Sequence, residues 1–182
     1  MVEYAELLEF LRREGTAEVP HSEVGFMAHL IGVHDVLVSW GCSETVCLAG
    51  LFHSIYGSEG FSTGAVELRR RPEIRALVGT AAERLAFVNS AMTYASFDTS
   101  LREGPPYRVV DRLNDAPIEL TEPEFADLSR IQLADWLEQV ERFPESWDYR
   151  RQAYRAMAER LGGQALAAYD EVFSREPQPD GR

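Results

Sequence analysis

Three side chains of this sequence combine a metal-binding type with an apolar setting: His29, His53 and Asp135. On a helical wheel of about 100° per residue centred on His29, the residues Phe26, Leu30, Val33, Val36, Leu37 and Trp40 fall between about −20° and 100°. His29 therefore belongs to the buried arc of its helix. His53 lies in a run, 46–56, that is apolar on nearly every side, so its helix should be central and the imidazole deeply buried. Asp135 follows Leu128 and Ile131 at helical spacing and shares their apolar face. A buried carboxylate is costly unless it is paired, hydrogen-bonded or bound to a metal. Three apolar faces, each presenting one metal-competent group, can converge inside a helical bundle. The same residues admit a second reading, in which the histidines are hydrogen-bonded core residues and Asp135 pairs with a buried Arg or His. The literal pair His34-Asp35 is a decoy, because the two fall near about 140° and about 240° on the wheel and cannot both face the core.

The elements that must position these groups are mostly helical. Apolar spacing and end signals predict helices over 4–13, over 22–40 capped by Ser22 and ended by Gly41, and over 43–56 capped by Ser43 and stopped by Gly57. Residues 57–64, with three glycines, read as a loop, followed by short helices over 65–70 and 72–78 and a longer one over 81–92. Residues 94–106 read as irregular. Residues 107–111 and 116–120 flank Asn114-Asp115 as a small β-hairpin, with Pro117 suited to an edge strand. Thr121-Glu122-Pro123-Glu124 is a capping box opening a long helix to about residue 143. Helices over 146–162 and 164–173 complete the expectation. The fold class is all-α, a helical bundle with a small β-hairpin insertion, in a single domain over 1–175 with a disordered polar tail over 176–182.

Composition narrows the function classes. The chain has 182 residues, 45% hydrophobic and 26% charged, with a formal net charge of −12. An acidic surface repels nucleic-acid backbone and anionic membrane, so neither is an expected partner, whereas a small molecule is. No apolar run reaches the ~18 to 20 residues of a membrane span, and the acidic N-terminus lacks the features of a secretory signal, so a cytoplasmic location is expected. The two cysteines, Cys42 and Cys47, lack paired metal or redox spacing and read as small core residues. Arg69-Arg70-Arg71 and Arg75 read as a solvated face balancing Glu67, Glu73 and Glu83 rather than as phosphate binders. Tyr107, Arg108 and Arg112 read as part of a plain edge hairpin rather than a lid.

Several segments resemble the HD superfamily of metal-dependent phosphohydrolases, and within it the domains that hydrolyse the alarmone (p)ppGpp. His29-Leu30-Ile31-Gly32-Val33 is similar to their His-Pro-x-x-Val, Leu48-Ala49-Gly50-Leu51-Phe52-His53 to their Ala-Ala-Leu-Leu-His-Asp, and Leu133-Ala134-Asp135-Trp136-Leu137 to their Leu-Ala-Asp-Arg-Leu. The interval between the two histidines also matches. The likeness spans roughly residues 22 to 140. His21-Ser22, His29 and Leu51-Phe52-His53-Ser54-Ile55-Tyr56-Gly57 further resemble an uncharacterised HD-like subgroup in which serine replaces the motif aspartate.

The resemblance implies an HD-like fold and, by default, hydrolysis of a phosphoester or nucleotide-like small molecule. Ser54 stands where the family places a ligand aspartate, Gly57-Ser58 stand where the alarmone hydrolases carry Glu-Asp, and Trp136-Leu137-Glu138-Gln139 replace the family's residues after the last aspartate. The remaining set is His29, His53 and Asp135, competent for one divalent Fe, Mn or Zn ion with open positions. Glu59 is the first candidate general acid/base, and His21, just before the His29 helix, a second candidate or extra ligand. Ser54 is a poor ligand but a possible hydrogen-bond partner for a water, and no triad or oxyanion-hole signal supports it as a nucleophile. Iron-dependent redox chemistry is a variant. The alternative is a non-catalytic ligand-binding or interaction protein that kept the fold and lost the metal.

Overall fold

A long helix, α7 (Glu122–Gln139), is packed by five other helices and carries Asp135 near its C-terminal end. The structure, a computed structural model, describes residues 2–16, 25–143 and 146–177. Before α7 come α1 (Tyr4–Arg13), α2 (Phe26–Ser39), α3 (Glu44–Leu51), α4 (Arg71–Val78), α5 (Thr80–Ala91) and α6 (Tyr94–Glu103). Strands β1 (Tyr107–Asp111) and β2 (Ala116–Leu120) follow α6, and α8 (Arg151–Leu161) and α9 (Gly163–Phe173) follow α7. The class is all-α with a small β-hairpin, as the periodicity predicts.

The start of α7 is well determined by local chemistry. The Thr121 hydroxyl accepts from the Glu124 N–H and the Glu124 carboxylate accepts from the Thr121 N–H, so both halves of the capping box form. Helix α7 buries Phe125, Leu128, Ile131 and Ala134 and packs against α2, α3 and α5. From α2 come Phe26, Leu30, Val33 and Leu37, all fully buried. Gly50 of α3 lets the two helices approach, because a Cβ there would run into Leu37 Cδ1.

The hairpin is antiparallel, with Tyr107 opposite Leu120 and Asp111 opposite Ala116. It packs as an edge rather than covering a site. Tyr107 is buried and stacks on Phe125 at 4.3 Å and 7°, and Arg108 pairs across the strands with Glu119.

Several elements differ from the expectation: the helix expected over 65–70 is a single 3-10 turn, Leu68–Arg70, and the one expected over 146–162 is α-helical only from Arg151. Residues 94–103 form helix α6 instead of irregular chain. Thr93 caps it by accepting from the Ser96 N–H, and Glu59 also accepts from the Tyr94 N–H. Only Phe97 and Ser100 of α6 are buried, too few to print a periodic apolar pattern on the sequence. The predicted third helix stops at Leu51 rather than continuing to residue 56. Residues 52–56 turn instead, and the Ile55 carbonyl accepts from the Ala65 and Val66 N–H groups, which ties the returning loop under the turn. The expected Ser22 cap and most of the expected tail lie outside the described residues, as does His21.

Candidate metal centre

His29, on the buried face of α2, is one turn inside the helix and 1% exposed at its side chain. Its Nδ1 lies 2.5 Å from Glu138 Oε2, which fixes the ring and turns Nε2 toward the interior. Gly32, one turn further along α2, makes this contact possible, since a Cβ there would stand 2.8 Å from Glu138 Cγ. Glu138 is held in turn by Arg142, 2.6 Å away.

His53 is fully buried in the turn after α3. Its Nδ1 lies 2.7 Å from the Gly50 carbonyl oxygen, so its Nε2 also faces inward. The turn leaves the His53 carbonyl without a helical partner, and Asn89 Nδ2 and Ser90 Oγ of α5 donate to it at 3.0 and 3.2 Å. Asn89 accepts from Gln132 of α7, Gln132 accepts from Arg150, and Arg150 is clamped by Asp98 of α6. This buried polar chain fixes the His53 turn to three helices.

Asp135 points from α7 at both imidazoles. Its Oδ1 lies 3.2 Å from His29 Nε2 and 3.6 Å from His53 Nε2, and the two Nε2 atoms are 3.3 Å apart. Gln139, one turn on, donates to the same Oδ1 at 2.8 Å. The structure thus brings together the three predicted ligands and gives each a second partner that sets its direction. Both Nδ1 atoms face acceptors and carry hydrogen there, so two imidazole lone pairs and a carboxylate oxygen converge on one point. Such a set repels itself unless a proton or a metal cation lies among it. Ligands about 2.0 to 2.1 Å from a tetrahedral ion stand about 3.3 to 3.4 Å apart, close to the 3.2, 3.3 and 3.6 Å between these three atoms.

The electrostatics agree with a cation-seeking site. Burial alone would lower the His29 pKa, but its contacts with Asp135 and Glu138 outweigh this and raise it to about 9. Burial would raise the Asp135 carboxyl, and the two histidines instead hold it well below the usual carboxylate range.

His29 and Asp135 form part of the wall of a 380 Å³ cavity, while His53 stays behind it. Ser54 and Ser58 of the turn and loop line it, opposite Trp136, Tyr149 and Tyr154. Tyr94 also faces it; burial, then the Asp135 charge, pushes its phenol up to about 12, so the hydroxyl stays protonated at neutral pH.

The other predicted residues fall as follows. Ser54 is buried and lines the cavity beside the ligands. Glu59 is exposed on the loop; its carboxylate is engaged with the Tyr94 N–H and it is absent from the cavity wall. His34 and Asp35 bond to each other at 2.9 Å away from the centre; Asp35 faces solvent, as the wheel predicts, and His34 stacks on Tyr4 at the edge of the buried arc. Arg69 and Arg70 pair with Glu67, Glu73 and Glu14, while Arg71 and Arg75 converge on the buried Glu83. Burial raises both thiols, Cys47 to about 11, so neither is a ready thiolate. Glu138 and Gln139 were not singled out from the sequence. Their signal is positional: with Asp135 they occupy i, i+3 and i+4 of one helix face.

Residues 10–93 match the model of a family described as a domain of unknown function (DUF6817). That span covers just under half of the chain and includes His29, His53 and Ser54 but not Asp135. No curated protein and no solved structure matches the chain.

Proposed function

We propose that this chain is a metal-dependent enzyme that acts on a small molecule bound in the cavity beside His29 and Asp135. The observation that carries the reading is the convergence of three acceptor atoms at 3.2, 3.3 and 3.6 Å, each oriented by its own partner. The donor set suits one divalent Fe, Mn or Zn ion. When bound, the ion supplies Lewis acidity, which activates a water and polarises a substrate oxygen. The resemblance to HD enzymes makes hydrolysis the default chemistry.

The chain's own residues have distinct roles in this reading. Glu138 holds the proton on His29 Nδ1 and keeps Nε2 available as a ligand. The Gly50 carbonyl does the same for His53, and Gln139 fixes Asp135 Oδ1. The ligand side facing the cavity is left for water and substrate, with the Ser54 and Ser58 hydroxyls and the protonated Tyr94 phenol available as hydrogen-bonding groups. Glu59 acts at the end of α6 rather than on substrate.

Redox chemistry at iron is the second reading, favoured by the ligand set itself: two histidines and one carboxylate with open positions is the arrangement of non-haem Fe(II) oxygenases. Metal analysis of the purified protein tests the shared premise. About one equivalent of Fe, Mn or Zn is expected, lost in His53→Ala. A protein that takes up none of the three, on purification or on addition, carries a proton in place of the ion and is a non-catalytic relative. Bound metal without turnover on a phosphoester panel supports the redox branch.

A further inference from the structure

The cavity wall allows the substrate class to be narrowed, in an inference that rests on the metal reading above. A divalent ion on two neutral histidines and the Asp135 carboxylate leaves one positive charge. Glu138 does not change that balance, because Arg142 pairs with it at 2.6 Å. The wall contributes no second cation: among the described residues that line it there is no arginine, and the chain has no lysine at all. Arg150 lies behind the wall, over the rings of Tyr94 and Tyr154 at 4.4 and 5.0 Å, and its charge is taken by Asp98. A phosphate monoester carries about two negative charges at neutral pH, and one of them would be left uncompensated here.

Much of the rest of the wall is aromatic. Trp136 and Tyr154 stack parallel at 5.2 Å and 5°, and Tyr149 leans on Trp136 at 5.4 Å and 54°. Tyr94, Phe61 and Phe143 extend this surface. The Trp136 indole N–H is buried with no acceptor among the described residues.

We propose that the centre takes a small aromatic monoanion, its anionic oxygen on the metal and its ring against Tyr94, Trp136, Tyr149 and Tyr154, and that it disfavours phosphate monoesters. Ring contacts of this kind are worth about two- to tenfold in affinity.

The test uses the whole chain loaded with Co(II), whose visible absorption changes when a probe oxygen enters its coordination sphere. Benzoate, cyclohexanecarboxylate, acetate, inorganic phosphate and phenyl phosphate are titrated in parallel. Benzoate is expected to bind at least about fivefold tighter than each of the others. Tyr149→Ala, at a side chain 45% exposed and so tolerant of truncation, should weaken benzoate about two- to tenfold and leave acetate unchanged. Phosphate or phenyl phosphate binding as tightly as benzoate overturns the proposal and leaves the metal reading standing. Cyclohexanecarboxylate or acetate equal to benzoate overturns the aromatic part. Failure of the wild-type chain to take up Co(II) removes the metal reading and this inference with it.

Discussion

Glu138 is the residue on which the character of the centre turns. Its carboxylate makes the 2.5 Å contact with His29 Nδ1, raising the ring's basicity and fixing the direction of Nε2. Glu138→Gln keeps the shape but removes the charge, and metal affinity is expected to fall about 10- to 100-fold in a Co(II) or Zn(II) competition titration, with the fold intact. Gly32→Ala probes the same contact from the other helix. The added Cβ would stand 2.8 Å from Glu138 Cγ, and since that side chain is flexible it swings away rather than breaking the packing. Gly32→Ala should therefore weaken metal binding, while its helix-propensity gain of up to about 1 kcal/mol offsets part of the cost of the lost Glu138 contacts, so the protein stays folded. A variant that binds metal like wild type would show that the contact orients nothing. The three ligands were legible in the sequence because histidine and aspartate on apolar faces are conspicuous. Glu138 was not, because a glutamate on a helix reads as solvent-facing until the bundle is assembled and the gap at Gly32 becomes visible.

Helix contacts decide whether these residues meet at all. Of the elements, the hairpin, the capping box of α7 and the buried arc of α2 follow from local rules of turn residues, caps and apolar spacing. The end of α3 does not, because an apolar run carries no mark distinguishing a helix from a buried turn. What stops α3 is tertiary: Ala65 and Val66 donate to Ile55, and Asn89 and Ser90 donate to the His53 carbonyl. Helix α6 is missed for the opposite reason, since it buries little and its second cap, Glu59, comes from a distant loop. The α2–α3 contact offers a test at this scale. Gly50→Ala forces a Cβ against Leu37 Cδ1, an overpacking expected to cost about 1 to 3 kcal/mol in a denaturant titration. Leu37→Ala alone opens a cavity and costs about 2 to 5 kcal/mol. The double variant should be more stable than the sum predicts, because each change relieves the other. Strict additivity would mean that the two helices do not meet at this pair.

Across the whole molecule, charge is carried by 18 arginines and 30 acidic residues, and most of their pairs lie at the surface, where each is worth about 0 to 1 kcal/mol. Glu83 is different. It is fully buried at the start of α5, and Arg71 and Arg75 reach it at 2.5 and 2.7 Å, with the Tyr56 hydroxyl at 3.3 Å. Arg71 also lies over the Phe87 ring at 3.4 Å. The cluster ties α4 to α5 and to the turn that follows His53. Burial would raise the Glu83 pKa, but the two guanidinium groups outweigh it and hold the carboxyl below its ordinary value. A carboxyl depressed in the folded state favours folding above its unfolded pKa of about 4.3, and that contribution is lost as pH falls through the folded value. The melting temperature of the wild-type chain should therefore drop steeply below about pH 4.3. Glu83→Gln leaves two guanidinium groups facing a neutral amide. It is expected to cost about 3 kcal/mol at pH 7, near the lower end for breaking a buried pair because both arginines keep some contact with water. The variant should also show a shallower acid transition, since the group that titrates is gone. Equal acid sensitivity in the two proteins would assign the transition to other carboxylates and reduce Glu83 to a packing residue.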